Sequence, residues 1–342
     1  MMDLSILLAL LQDGVVSGAV YGLLALALVL VFAVTRVILI PVGELVSFTA
    51  LTYAGLEDGQ IPEALPLLLA LGALAFLRGA LQDRGRSLGS LALQTLVLPA
   101  AIAGCAVLIA PLHAGIAVQA GLAIAVVAPM APLLYRIAFR PLPEASVLVK
   151  LIAAVGVHLA LTGLGLLCFG PEGARGPAFS DAVLTLGPMI LTGQAVWVIF
   201  CTTAAMAALW AFFRLSLAGA ALRATAINRR GARLVGISPD RSGLLAFWLA
   251  GLIAGLSGVL IAPLTTVYYD GGFLIGLKGF VAAIIAGLGS YPLAIAAALV
   301  VGVVESLSAF WASDFKEVIV FSVIIPVLLW RSLRHCAVGE EE

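Results

Sequence analysis

Four ionisable side chains interrupt otherwise apolar stretches of this sequence and could do chemistry there: Glu44, His158, Lys278 and Glu305. A charge in an apolar segment is costly, so each is a functional candidate by default. The Glu44 carboxylate could meet an ammonium group, or it could bond a broken helix near Pro41, and the second interpretation is slightly favoured. Glu305 is expected to tie helices together, Lys278 to lie near the outer end of its helix, and His158 to be a hydrogen-bonded packing residue.

No pattern in the sequence supplies enzyme chemistry. The three histidines belong to no HExxH motif, and no GxSxG motif provides a nucleophile. The four cysteines have neither CxxC nor metal-ligand spacing, which favours packing thiols inside helices. These residues are His113, His158, His335, Cys105, Cys168, Cys201 and Cys336. The sequence therefore predicts no catalytic residue, no metal site, no cofactor and no enzymatic activity.

Positive charge is concentrated in one stretch, residues 214–241, which holds six arginines out of 18 lysines and arginines in the chain. Its segment 222–234, taken as one helix, is two-faced. Gly236 can end that helix. The apolar stripe consists of Ala224, Ile227, Gly231 and Leu234, and the adjoining arc of Arg223, Arg229, Arg230 and Arg233. Such a helix suits either anionic lipid or a protein partner, and spacing alone favours lipid.

Composition shows which solvent surrounds these residues. The chain has 342 residues, of which 63% are hydrophobic and 11% charged, and its mean hydropathy is +1.19. Soluble proteins carry about 25% charged residues, so a bilayer must surround much of this chain. The sequence predicts an all-α polytopic membrane protein, a single transmembrane domain over residues 1–342.

The first residues, MMDLSILLALLQD, lack a basic n-region and are expected to be retained.

About 9–11 transmembrane helices are predicted, because a crossing needs about 20 apolar residues. The candidate segments are 15–35, 37–56, 62–78, 90–112, 115–135, 146–169, 191–213, 243–264, 273–288, 291–312 and 316–331, of which 62–78 and 273–288 are the weakest. Some are expected to be broken, at Pro41 and Gly43 and at the GLGSYP turn with Gly287, Gly289 and Pro292. Non-helical backbone at membrane depth must be buried or line a cavity. A plain loop at 288–292 is equally compatible with the sequence.

The basic residues fix the expected orientation, because cytoplasmic loops collect Lys and Arg. A periplasmic N-terminus and a cytoplasmic C-terminus place the basic clusters inside: Arg36, Arg78, Arg84, Arg86, Arg136, Arg140, Lys150, the 214–241 loop, Arg331 and Arg334. The opposite side then receives Glu57, Asp58, Glu63, Glu172, Asp181 and Asp270, with Arg175 as the main basic exception. The arginine-rich stretch is therefore predicted to be a cytoplasmic loop.

Several ordered blocks resemble the permease subunits of bacterial branched-chain amino acid ABC importers, the LivH type. The blocks are YRIAFRPL (135–142), LIAAVGVHLALTG (151–163), ALRATAINRRGARLVGISPDR (221–241), GLKGFVAAIIAGLGSYP (276–292) and GVVESLS (302–308). The similarity covers about 1–56 and 115–331. It implies an inner-membrane permease whose 214–241 loop couples to two cytoplasmic ABC ATPase subunits, through Arg223, Ile227, Arg229, Arg230, Arg233, Leu234 and Gly236. The substrate path is predicted to contain Gly43, Glu44, Gly287 and Gly289, from the interrupted segments and the charge at Glu44.

The resemblance also implies a periplasmic solute-binding protein, a second permease subunit (LivM-like or a second copy), membrane lipid and a small-molecule substrate, but no nucleic acid. The nucleotide must be bound elsewhere, because no GxxxxGK[ST] motif occurs in this sequence. Branched-chain or other apolar amino acids are the expected substrates. Urea, short amides or another small solute are the alternative, and an ion-coupled secondary transporter is the second alternative.

Two departures separate this sequence from the family pattern. Where the family usually has NFAHGE, this chain has LIPVGE (39–44), so that Leu39 and Val42 replace the Asn and the His. A different substrate preference is one possible consequence. The stretch 57–114 is longer than expected by about two helices and is predicted to be an inserted helical hairpin without assigned function.

The charge pattern predicts the result of a topology experiment. A reporter fused after residue 60 or 177 should behave as periplasmic, and one fused after residue 86 or 230 as cytoplasmic. Paired alkaline phosphatase and fluorescent-protein fusions would measure this. A periplasmic signal at residue 230 would contradict both the orientation and the predicted contact with ATPases.

Overall fold

The computed structural model describes residues 4–82, 88–112, 114–143, 145–186 and 189–329. Several residues considered above lie outside these ranges: Arg84, Arg86, His113, Arg331, Arg334, His335 and Cys336.

The described chain is a helical bundle, which confirms the predicted all-α polytopic membrane protein. In chain order its helices are α1 (Leu4–Thr35), α2 (Val42–Glu57), α3 (Leu65–Gln82), α4 (Leu88–Leu112), α5 (Ile116–Phe139), α6 (Val147–Phe169), α7 (Gly193–Leu215), α8 (Leu217–Ile227), α9 (Arg229–Leu234), α10 (Pro239–Ile261), α11 (Gly272–Ile285), α12 (Tyr291–Trp311) and α13 (Lys316–Ser322). Seven helices in the described ranges are long and apolar enough to cross a bilayer, namely α1, α4, α5, α6, α7, α10 and α12. The remaining predicted crossings correspond to the shorter α2, α3, α11 and α13.

A small β-hairpin between α6 and α7 was not expected from the sequence. Strands β1 (Val183–Leu186) and β2 (Met189–Thr192) pair antiparallel, with Val183 opposite Thr192 and Leu184 opposite Leu191. The pairing satisfies the hydrogen-bonding groups of the backbone where the chain leaves one helix and enters the next.

The bundle is built around α1, which packs against α10, α11 and α12. A Cβ at Gly14 or Gly18 would lie within about 3 Å of the α12 backbone, around Gly302 and Leu299. Lipid tails are as apolar as leucine, so helices in a membrane gain their contact energy from such close packing of small residues. Gly14 of α1 faces Val303 of α12, and Gly18 faces Leu299, which comes four residues earlier in the chain, so the two helices are antiparallel.

One end of the bundle gathers basic residues. The Lys150 ammonium donates to the carbonyl oxygens of Thr35 (3.3 Å) and Pro143 (3.4 Å), and Arg140 Nε lies 3.1 Å from an Asp240 carboxylate oxygen. Arg229 and Arg233 line a cavity with the same residues. We call this the basic end.

The opposite end gathers acidic residues. Glu57, Asp58, Glu63, Glu172 and Arg175 line one cavity there, although the segments that carry them are far apart in the sequence. We call this the acidic end. The two ends thus separate the basic from the acidic residues in the way that the charge pattern predicts.

Two helices begin in the middle of the bundle. Gly43, in the first turn of α2, touches Gly272, the first residue of α11, and a Cβ on either glycine would overlap the carbonyl oxygen of the other. Beside them lies His158, the midpoint of the 23-residue α6. Pro41, the residue before α2, has a φ of −64°, and it cannot donate a backbone hydrogen bond. The predicted break near Pro41 and Gly43 is therefore present, and α11 is a second interrupted element.

The predicted insertion forms two helices, α3 and α4, that pack against each other. Gly72 of α3 abuts the Thr95 carbonyl of α4, where a larger side chain would overlap. The Gln94 side-chain oxygen on α4 accepts a hydrogen bond from Arg136 Nη2 on α5. The hairpin therefore reaches the basic end and contacts the block YRIAFRPL.

The arginine-rich stretch differs from its prediction, because 222–234 is not one helix. Asn228, with φ −149° and ψ 102°, separates α8 from α9, and its side-chain oxygen accepts from the backbone N–H groups of Arg230 (3.0 Å) and Gly231 (2.9 Å). An asparagine cap of this kind competes with continuation of the preceding helix. Gly236, at φ +84°, ends α9 as predicted.

The contact between Gly43 and Gly272 predicts that alanine at Gly43 lowers stability more than alanine at Gly55, a second glycine on α2. Gly43→Ala should destabilise the protein by about 1–3 kcal/mol, since the added methyl group overlaps a backbone carbonyl. Gly55→Ala is the matched control, because a Cβ at Gly55 meets nothing within 4 Å. Melting temperatures in detergent would compare them, and equal values would contradict a tight central contact.

Candidate functional site

Glu44 and His158 form a hydrogen-bonded pair in the centre of the bundle. The Oε1 atom of Glu44 lies 2.6 Å from Nδ1 of His158, and the Glu44 side chain is fully buried. The imidazole stacks on the ring of Phe273, with centroids 4.5 Å apart. The second carboxylate oxygen, Oε2, has no hydrogen-bond partner among the described residues. The pair therefore offers one unused acceptor to a donor group.

Two helix N-termini point at this centre. The first turns of α2 and α11 meet at Gly43 and Gly272, and each helix N-terminus carries a partial positive charge. The buried Ser47 hydroxyl occupies the space that a side chain at Gly272 would need. A carboxylate and two helix N-termini together can bind both the ammonium and the carboxylate group of a zwitterion.

The structure separates Gly287 and Gly289 from this centre. Gly276 contacts Gly43, and Gly287 lies eleven residues further along the chain, about 16 Å at a rise of 1.5 Å per residue. The turn that follows α11 has a positive φ at Gly287 (72°) and Leu288 (55°). The turn leads to Tyr291, whose ring stacks on Phe213 near the end of α7. The helix that meets α2 therefore begins at Gly272.

Sequence reasoning missed Gly272 and the pairing of His158 with Glu44. The tripeptide Asp270-Gly271-Gly272 is a turn signal that could have placed the start of α11. No comparable signal exists for the Glu44–His158 pair, because 114 residues separate its members.

A second group of charges, with a buried lysine and two partly buried glutamates, contacts α11 at Lys278. Lys278 Nζ lies 2.6 Å from Glu305 and 3.2 Å from Glu317, and the Tyr21 hydroxyl donates to Glu305 at 2.7 Å. These residues come from α1, α11, α12 and α13. The expected role of Glu305 in tying helices together agrees with this geometry.

The arginine-rich stretch presents apolar side chains to the outside of the chain. Ile227 is 87% exposed and Leu234 88% exposed, while Ala224 and Gly231 of the predicted stripe are half-buried. Arg223, Arg230 and Arg233 are exposed around them, and Arg229 is partly covered. The stretch is nevertheless anchored, because Leu222 is buried against α1 and Thr225 bonds Ser242 at 3.1 Å. It forms a fixed surface on which Ile227 and Leu234 are prominent, and we call it the loop surface.

Comparison with known proteins assigns this chain to a family. The family model described as "Branched-chain amino acid transport system / permease component" matches residues 10–328. The chain belongs to this family.

Curated relatives of this permease-family chain carry related names. It is 36% identical over 203 residues to the high-affinity branched-chain amino acid transport system permease protein LivH of Salmonella typhimurium, a match that covers 57% of this chain and 65% of that protein. The corresponding protein BraD of Pseudomonas aeruginosa is 30% identical over 203 residues, 57% of this chain and 66% of BraD. This chain thus spans just under two thirds of the relatives' length. No solved structure matches it.

The central pair includes the glutamate of LIPVGE, the segment in which this permease-family chain departs from the family pattern. The family pattern has a histidine two residues before the glutamate, and this chain has Val42 there. His158 from α6 nevertheless brings an imidazole to Glu44. The carboxylate therefore has a histidine partner although the motif lacks one.

Proposed function

We propose that the chain is the membrane permease subunit of an ABC importer that moves branched-chain or other apolar amino acids across the bacterial inner membrane. The observation that carries the proposal is the family match over residues 10–328. The relatives' names supply the substrate class, and the central site fits it, since Glu44 and the two helix N-termini suit the two charged groups of an amino acid. Urea or a short amide has no formal charge for those groups to meet.

The basic end faces the cytoplasm in this proposal, and the acidic end faces the periplasm. The separation of Lys150, Arg140 and Arg229 from Glu57 and Glu172 supports it, because positive charge favours the cytoplasmic side. The N-terminus is then periplasmic and the C-terminus cytoplasmic.

The substrate path runs past α2 and α11, whose N-termini meet beside Glu44. Interrupted helices at membrane depth are tolerated when they are buried in protein or line a cavity, which is how transporters expose backbone groups to a solute. The fully buried Glu44 corresponds to a closed path, so the solute reaches it only after helices move.

Two cytoplasmic ATPase subunits bind the loop surface and transmit their motion to the bundle. Ile227 and Leu234 are the apolar groups that a docking cleft would cover, and exposed arginines surround them. The anchoring of Leu222 and Thr225 supports the proposal, because a coupling element must be fixed to the helices that it moves.

A solute-binding protein delivers substrate at the acidic end, and a second permease subunit, LivM-like or a copy of this chain, completes the membrane part. The outer faces of α6 and α7 leave large apolar side chains such as Leu167 and Phe200 uncovered. Lipid and the second subunit together would cover these faces.

Replacement of the central carboxylate tests the substrate path. Glu44→Gln should lower ATP-dependent uptake of leucine about tenfold or more while assembly with the ATPases stays intact, because a charge-assisted hydrogen bond contributes about 1.5–3 kcal/mol. Asp314→Asn, an exposed carboxylate outside the central site, is the control. Uptake by Glu44→Gln at the wild-type rate would leave Glu44 a structural role only.

Replacement at the loop surface tests the coupling. Ile227→Asp should uncouple ATP hydrolysis from transport and release the ATPase subunits during purification, since burying an unpaired charge costs several kcal/mol. The double variant Arg229→Ala and Arg230→Ala should matter less. If the loop surface binds only lipid, the order reverses, and retained copurification with coupled uptake in Ile227→Asp would refute the coupling role.

A further inference from the structure

The cavity at the acidic end carries an excess of negative charge. It has a volume of about 450 Å³, and all its lining residues lie in the described ranges. Four carboxylates, Glu57, Asp58, Glu63 and Glu172, face one guanidinium, Arg175, which gives a net charge of −3 (four negative, one positive). Arg175 Nε donates to the carbonyl oxygen of Pro263 at 2.9 Å, so this group is already engaged. A concave cavity with a net negative charge raises the local concentration of cations.

A buried polar atom in the cavity lining is a second, independent indication of a ligand. Thr52 lines the cavity and is only 2% exposed, and its Oγ1 atom has no hydrogen-bond partner among the described residues. A buried hydroxyl without a partner is costly, so a ligand that bonds it is favoured. A protonated amine brings three donors and no acceptor, which suits a hydroxyl oxygen surrounded by carboxylates.

The cavity and the central pair lie along the same helix. Thr52, Phe48 and Glu44 are spaced by four residues on α2, so their side chains share one face over about 12 Å. Phe48 lies 5.3 Å from Phe169, centroid to centroid, and Phe169 also lines the cavity. From the acidic end to the centre, the order is therefore the Thr52 hydroxyl, the rings of Phe169 and Phe48, and the Glu44 carboxylate. Aromatic faces also attract cations.

We propose that the acidic-end cavity is a solute site that binds a protonated amine, and that it favours ammonium-bearing solutes over neutral amides. The inference rests on the proposed function, because it assigns the cavity to the path that leads to Glu44. A basic surface on a solute-binding protein would also be attracted to four carboxylates. The concave shape and the buried Thr52 hydroxyl favour a small solute, since a protein surface would not reach that atom.

The first experiment measures the electric field in the cavity without any transport. Gly55 lines the cavity, and a Cβ there meets nothing within 4 Å, so Gly55→Cys introduces a thiol without overlap. The variant is made in a background in which Cys105, Cys168, Cys201 and Cys336 are replaced by Ser. A cationic and an anionic methanethiosulfonate react with it in membrane vesicles, and 2-mercaptoethanol in solution gives the intrinsic rate ratio of the two reagents.

The proposal expects the cationic reagent to be favoured about tenfold or more over the intrinsic ratio at low ionic strength, and less so as salt screens the carboxylates. The matched control adds Glu57→Gln, Asp58→Asn and Glu63→Gln to the same protein and should return the ratio to its intrinsic value. A ratio near the intrinsic value in the protein that keeps its carboxylates would overturn the proposal.

The second experiment identifies the ligand class by protection of the same thiol from a neutral methanethiosulfonate. Leucine and 3-methylbutylamine should slow the reaction, and 3-methylbutanamide, which is matched in size and uncharged, should not. Equal protection by the amide, or none by the amine, would overturn the proposal. So would protection by the solute-binding protein without solute, which would make the cavity a docking surface.

ATP-dependent leucine uptake by the assembled transporter separates the two proposals. If uptake is present and the amine does not protect, only the solute site fails. If the amine protects and no solute is taken up, the importer function fails while the cavity keeps its ligand class.

Discussion

The contact between Gly43 and Gly272 is the constraint on which the central architecture depends. It lets α2 and α11 begin in the middle of the bundle with their backbones touching, a distance that any side chain would prevent. Two helix N-termini, each with a partial positive charge, are thereby brought to one point at the midpoint of α6. Glu44 is the acidic residue of the first turn of α2, so its carboxylate also interacts favourably with the helix dipole.

Besides the acidic end, the charges of the bundle form three groups that connect different segments of the chain. Lys150, Arg140 and Asp240 fix the loops of the basic end to one another. In the interior, the pair of Glu44 with His158 lies on one side of α11, and the cluster around Lys278 lies on the other. A helix held between a glycine contact and the ion cluster of the buried Lys278 has few positions open to it, because separating Lys278 from its carboxylates would leave a buried charge unpaired. Motion of α11 is therefore tied to its neighbours.

At the basic end, the stretch 57–114, which the resemblance noted in the sequence does not cover, contacts segments that it does cover. The predicted insertion, α3 and α4, contacts Arg136 through Gln94, and the same region includes Asp240 at the start of α10. The loop surface lies just before Asp240 in the sequence and is divided at Asn228. The two short helices joined by a cap at Asn228 present Ile227 and Leu234 to the outside while Leu222 remains buried.

The sequence by itself determined the solvent, the helical class, the separation of charge between two ends and the arginine-rich loop. These are local properties, since the length of an apolar segment and the sign of its flanking residues need no knowledge of distant contacts. Asn228 and Asp270-Gly271-Gly272 were also local signals, although their consequences were not foreseen. Only the tertiary structure decided that His158 pairs with Glu44, that Gly272 and not Gly287 meets Gly43, and that Lys278 binds two glutamates. Each of these depends on how helices distant in sequence pack, and packing between helices is set by side-chain shape rather than by any periodic pattern along one segment.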